Sequence, residues 1–399
     1  MNMQATAPKD TLLPWRDPSF RADPYPWYDR LRAEAPVYLD PLTGGYIVSR
    51  YRDVVQYGKH PALTMKAPEG TPKGPWSWFK DSVITIDPPA HTALRRKANK
   101  WFTPKATAEY AKQSAAEVHR IIDDLGPEGV TEAYENLALI PGHYAMCTAL
   151  GVGREGYRTG AAYMRDCMIA LGSDVSAEEQ ERAYTAFRFL RDRVSHHLAE
   201  ARRNPQPGML ASWIEQTAAG DMTETQLYEG LFLFWATATP NAAYVTTGGL
   251  ELFARQPEYF ELWKSRPEMR AVILAELVRL HTAEMSFDRF VAEDLEIEGV
   301  AIPKGAHIRF LVASANRDTE VFEDPHAFRI DRPEGTPAHL SFGVGAHICP
   351  GQAIALAQAT AILDAVAERA TALELAGDPV YGHDDRSARY LRLPLRVIR

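Results

Sequence analysis

Residues 342–351 read FGVGAHICPG and set one of only three cysteines in a glycine-rich loop, just before an Ala/Leu/Gln-rich segment that reads as a helix. Several chemistries use such a loop. A dinucleotide fingerprint needs a glycine three residues after Gly345, and that position is Ile348. Zinc would find His347 and Cys349, but no second Cys/His pair stands at finger-like spacing. A buried structural cysteine needs no glycines around it. A disulfide has no evident partner. The reading that accounts for more of the residues is a cofactor loop. Gly343 and Gly345 let the backbone approach a flat, bulky group, and Cys349 at the mouth of the next helix meets amide N–H groups and a favourable dipole. Those hold it as a thiolate, which is a metal ligand.

The loop resembles the heme loop of the cytochrome P450 superfamily, Phe-x-x-Gly-x-His/Arg-x-Cys-x-Gly, which this chain matches at Phe342, Gly345, His347, Cys349 and Gly351. Other marks of that family occur in the right order across nearly the whole chain. ELVR supplies a Glu-x-x-Arg pair, Glu276 and Arg279, which the resemblance joins in a buried structural network with Arg332 of FRIDRP. DPPAHTALRR matches the helix whose His91 and Arg95 would bind a heme propionate, and Arg289 stands where another propionate ligand sits. Arginine suits that task because its fork matches a carboxylate. ANRD, residues 315–318, matches a short segment that follows. The resemblance implies heme b (iron protoporphyrin IX) with Cys349 as the proximal iron ligand, donating electron density that favours O–O cleavage. It also implies a mainly α (α+β) P450 fold, with a long distal helix over the heme and small β-sheets, in one domain over 1–399 whose first fifteen residues are flexible.

Composition agrees with a large globular enzyme. Of the 399 residues 46% are hydrophobic and 24% charged, enough to build an extensive core. The net charge of −8, without a long Lys/Arg cluster, argues against a nucleic-acid partner. Three cysteines without a CxxC pair fit a reducing compartment, by default the cytoplasm. The opening residues have no apolar stretch of the kind a signal peptide or anchor needs. Glu229 and Glu251 bracket an uncharged run long enough to span a bilayer, but it holds Pro240, Asn241 and four threonines. That polarity suits a helix buried in protein, so no membrane partner is expected.

Along the chain, PYPWYDRLRAEA reads as a helix and VYLDPLTGGYIVSRY as a hairpin about a Gly-Gly turn. A Pro/Gly/Trp-rich loop follows, and helical periodicity then dominates from His91 to about Gln256. After AVILAELVRLHTA, a further helix, β-branched runs suggest strands; a final helix and a strand-like tail, RYLRLPLRVIR, close the chain.

Two stretches depart from the family pattern. Counting back from Pro257, the positions that usually carry an acid and an alcohol on the distal helix fall on Pro240 and Asn241. A proline inside a helix frees the carbonyl four residues earlier, here Ala236. With Thr237, Thr239 and the Asn241 amide, that carbonyl is expected to hold waters for proton delivery. Where many members have Pro-Val facing the substrate, this chain has Ala283-Glu284; a carboxylate there is costly unless paired, so it meets a substrate ammonium or donor, or turns to solvent or an arginine.

Candidate substrate contacts are Trp76, Trp78, Phe79, Phe234, Ala238, Glu284, Met285 and Phe287, an aromatic-rich set that favours a compact aromatic or amphipathic ligand. The resemblance implies a soluble oxygenase using dioxygen, with electrons arriving singly from a separate ferredoxin or flavodoxin and its reductase. Arg96, Lys97, Lys100 and Lys105 would offer that acidic partner a basic face. The alternative keeps the heme and changes the chemistry to peroxide-driven oxidation, rearrangement or nitration of an aromatic amino acid. A heme-based gas sensor is a third class, disfavoured because no output domain is attached.

Overall fold

The computed structural model describes residues 11–69, 78–154, 157–172 and 175–399. The protein is mainly helical, with small sheets placed around the helices. Its longest helices start where the sequence supplies caps. Ser176 and Glu179 form a reciprocal capping box ahead of Ala177–Arg203, and Thr103 with Pro104 opens Pro104–Asp123. Helix Gln352–Arg369 begins at the end of the cysteine loop and lies along both Pro104–Asp123 and the helix Ala238–Arg255. Gly249 permits that last approach: a Cβ there would stand 3.1 Å from the side chains of Leu277 and Leu363. Buried apolar residues gather in three clusters, two among the helices and one under the sheet that carries Val48, Ile308 and Phe310.

The expected hairpin is present as antiparallel strands Val37–Leu39 and Tyr46–Val48. They join a five-stranded sheet in which Tyr46–Val48 runs parallel to His307–Phe310, followed by Phe287–Val291 and Leu63–Thr64. The strand-like tail is two strands. Ala388–Arg392 pairs with Val380–His383, and Pro394–Ile398 inserts between Val130–Glu132 and Ala372–Leu375. The switch occurs at buried Leu393, whose N–H donates to the Glu132 carboxylate at 2.9 Å.

The uncharged run is helical but not uniform. Glu224–Phe232 is α, Leu233–Thr237 winds wider as a π segment, and Ala238–Arg255 returns to α. Pro240 lies in the first turn after that π segment, and its missing N–H leaves the Ala236 carbonyl without an i+4 donor; the widening of the helix just upstream was not expected. Glu251 ends the run buried, accepting hydrogen bonds from Tyr381 at 2.5 Å, Tyr390 at 2.6 Å and Arg255 at 2.6 Å. Among the described residues no helix is long and apolar enough to cross a membrane.

The chain is also fixed earlier than expected. Leu13 and Trp15, within the stretch read as flexible, are buried, and Trp15 Nε1 donates to Asp40 at 3.0 Å.

Candidate active site

The cysteine loop is held by its own backbone and by the helix Arg270–Leu280. Cys349 N–H donates to the Phe342 carbonyl at 2.8 Å, and Gly343 and Gly345 adopt left-handed φ of 75° and 73°. At Gly343 a Cβ would meet nothing within 4 Å, whereas at Gly345 it would press on Lys59 at 2.9 Å. The first glycine leaves room toward the cavity and the second closes a turn against the protein. Just upstream, buried Asn316 accepts from Leu340 N–H at 2.7 Å and donates to Ser341 at 2.8 Å. Burial raises the pKa of the Cys349 thiol, opposed by the amides of Gly351 and Gln352 and by Arg95. A cation bound at the sulfur would tip that balance to the thiolate.

Cys349 faces a cavity of about 1430 Å³ that also receives Phe342, Gly343, His347, Gly351, His91, Arg95 and Arg289. Arg95 reaches back to the Ala346 carbonyl at 3.0 Å. The rings of His91 and His347 lie 4.1 Å apart, and His91 Nδ1 and His347 Nε2 are buried with no hydrogen-bond partner. Burial lowers Arg289 to about 10, which leaves it charged at neutral pH. A sulfur at a helix start, open space over Gly343 and a wall of cationic and unsatisfied donors fit a flat macrocycle carrying a metal and carboxylates. The residues present suit heme.

Across the cavity, helical geometry sorts the distal residues. Thr237, Ala238, Asn241, Ala242 and Val245 share the face that lines it, as does Phe234 one turn earlier. Thr239 points the other way: its methyl would lie 3.0 Å from a Cβ on Gly142, and its buried hydroxyl has no partner. The Thr237 hydroxyl donates to the Leu233 carbonyl at 2.6 Å. Water-holding by Thr239 is thus corrected by placement, since 100° of rotation per residue carries it off the cavity face.

Asn241 Nδ2 donates to Glu284 Oε1 at 3.2 Å, so the two departures read separately from the sequence meet. Glu284 is placed by pairing of residues 283–286 with the C-terminal hairpin turn. It bridges Ser387, while Met285 N–H donates to Arg386 O and Ala388 N–H to Ala283 O, both at 2.8 Å. Burial raises its pKa, opposed by Arg386 and by the Asn241 bond. Asp288 and Arg386, an ion pair beside it, also line the cavity. Arg386 was not singled out from the sequence; the charge-dense HDDRSAR between two strand patterns was the available signal.

The remaining candidates divide. Phe287 lines the cavity; Met285 is fully buried in the core beside it. Phe79 packs on Phe232, and Trp78 lies on Phe187 beneath Arg191, both outside the cavity lining. Trp76 lies outside the described residues. Glu276, Arg279 and Arg332 come together: Arg279 spans both carboxylate oxygens at 2.6 and 2.8 Å, and Arg332 adds a bond at 2.8 Å. Arg279 also donates to the carbonyls of Asn316 and Pro325, tying the helix to the approach of the cysteine loop.

Comparison with known proteins places these features in context. Residues 255–369 match the family model described as Cytochrome P450. The chain is 27% identical to "Cytochrome P450 109" of Bacillus spizizenii over 371 residues, 92% of this chain and 88% of that one. It is 27% identical to the 6-deoxyerythronolide B hydroxylase of Saccharopolyspora erythraea over 384 residues, 90% and 92% of the two chains. Among solved structures, P450BioI in complex with a hexadec-9Z-enoic acid ligated acyl carrier protein superposes with a TM-score of 0.85 at 23% identity, covering 95% of this chain and 99% of that one.

Proposed function

Because the chain belongs to the cytochrome P450 superfamily and is a monooxygenase, we propose that it inserts one atom of dioxygen into a small, aromatic-bearing organic substrate, using single electrons from a separate ferredoxin or flavodoxin with its reductase. The observation that carries this reading is the cavity between the Cys349 loop and the distal face, apolar over most of its lining and edged by Arg95, Arg289, Glu284, Asp288 and Arg386. Bound heme, which we take to be iron protoporphyrin IX, supplies the redox-active iron at which dioxygen is activated. Cys349 would hold that iron, and His91, Arg95, Arg289 and His347 would hold the carboxylates. Phe234, Phe287 and Val245 would orient the substrate and exclude water. The relative that hydroxylates 6-deoxyerythronolide B supports a role in natural-product tailoring. The three cysteines are free, which supports work in the cytoplasm.

The reading is tested with isotopically labelled dioxygen, a ferredoxin, its reductase and NADPH, over a panel of aromatic compounds. Label in a product, dependent on the reductase, supports it; turnover with hydrogen peroxide alone and none with the reductase contradicts it. That second outcome would favour peroxide-driven oxidation, rearrangement or nitration. Its specific support is that Thr237 spends its hydroxyl hydrogen on Leu233 and Asn241 its amide on Glu284.

A further inference from the structure

We propose that Glu284 and Asn241 form a cation-recognition subsite in the cavity wall and that the substrate presents a protonated amine to it; this rests on the monooxygenase reading above and narrows its substrate class. Four carboxylates gather where residues 283–288 meet the C-terminal hairpin turn: Glu284, Asp288, Asp384 and Asp385. Three have a guanidinium. Asp288 is bound by Arg386 and by Arg309, the latter at 3.0 Å. Asp385 is bound by Arg309, and Asp384 by Arg389 at 2.7 Å. His307 adds a further contact to Asp288 at 3.3 Å. Glu284 has a neutral hydrogen-bond partner, the Asn241 amide, and feels Arg386 only through space, that guanidinium being bound to Asp288.

A half-buried carboxyl facing a cavity with one neutral donor is a poor resting place for a negative charge, and desolvation, only partly offset by Arg386, favours its acid form. A cation brought beside it reverses that preference and gains a charge-assisted hydrogen bond in a low-dielectric site. Geometry adds a second acceptor. Since Asn241 donates through Nδ2, its Oδ1 remains to accept, and an ammonium offers three donors. Phe234 and Phe287 line the same cavity and supply apolar surface for the rest of the molecule. The chemical class is therefore a compact aromatic amine or amino acid.

The test compares 2-phenylethylamine with 2-phenylethanol, alike in shape and different in charge, on the holoenzyme at neutral pH. Binding is followed by calorimetry and by the heme absorbance; nitrogen ligation of the iron shifts the absorbance band the opposite way from substrate binding and is told apart. The expected result is an amine bound about tenfold or more tightly than the alcohol. Glu284→Gln, whose side-chain carbonyl still accepts from Asn241, abolishes that preference while leaving the alcohol's affinity within about threefold. Equal affinity in the unaltered protein, equal losses for both ligands in Glu284→Gln, or nitrogen ligation as the only binding mode overturns the proposal. The calorimetric preference stands or falls separately from the monooxygenase reading, which fails instead if the protein takes up no heme.

Discussion

At the residue scale, Glu284 concentrates the chemistry that distinguishes this chain. Its folded-state pKa is raised by burial, so the folded protein holds a proton that the unfolded chain loses above the ordinary value of 4.5. Stability therefore falls as pH rises from that value through the raised one. Glu284→Gln removes the dependence, and denaturation should find the variant more stable than the parent at neutral pH, with the gap closing toward pH 4. A gap that widens on acidification would mean the carboxylate is favoured in the fold. The sequence announced Glu284 as a carboxylate in an unusual place but not its partner, because Asn241 lies 43 positions away on another element. Cys349, Glu276 and Arg279 were legible because their motif spacings are local; the Arg386–Asp288 pair, spanning 98 positions, was not.

At the scale of elements, the distal helix is the informative one. Its helical character was legible from an uncharged run, but the π turn at Leu233–Thr237 was not, since an extra residue in a turn leaves no compositional mark. That turn decides which side chains face the cavity and puts Pro240 in a first turn. Pro240→Ala should accordingly change stability by less than about 1 kcal/mol, mostly through the unfolded chain. Thermal melts showing a loss of several kcal/mol would instead assign the proline a packing role. Gly248 is the opposite case: a Cβ there would stand 2.5 Å from the ring of His281. Gly248→Ala should cost about 1–3 kcal/mol, with unchanged stability indicating that the ring can move aside.

Across the whole molecule, the buried Glu276–Arg279–Arg332 network couples the helix Arg270–Leu280 to the approach of the cysteine loop. Burial acts to raise Glu276, and its arginine bonds outweigh that and lower it. The stability it contributes is present above the ordinary carboxylate pKa and is lost as pH falls through the lowered one. Glu276→Gln leaves the buried Arg279 and the half-buried Arg332 guanidiniums without their counter-charge and should cost about 3–5 kcal/mol by denaturant titration, together with heme retention. Retention of both would reduce the network to a surface-like pair. Arg96, Lys100 and Lys105, on and just after the helix Ala90–Asn99, are exposed. The central claim, that Cys349 holds a heme beneath this cavity, is tested most directly by the absorbance of the reduced protein under carbon monoxide, beside Cys349→Ala. The account predicts the red-shifted band of thiolate-ligated heme in the parent and its loss in the variant; the same band in both, or none in the parent with heme bound, would contradict it.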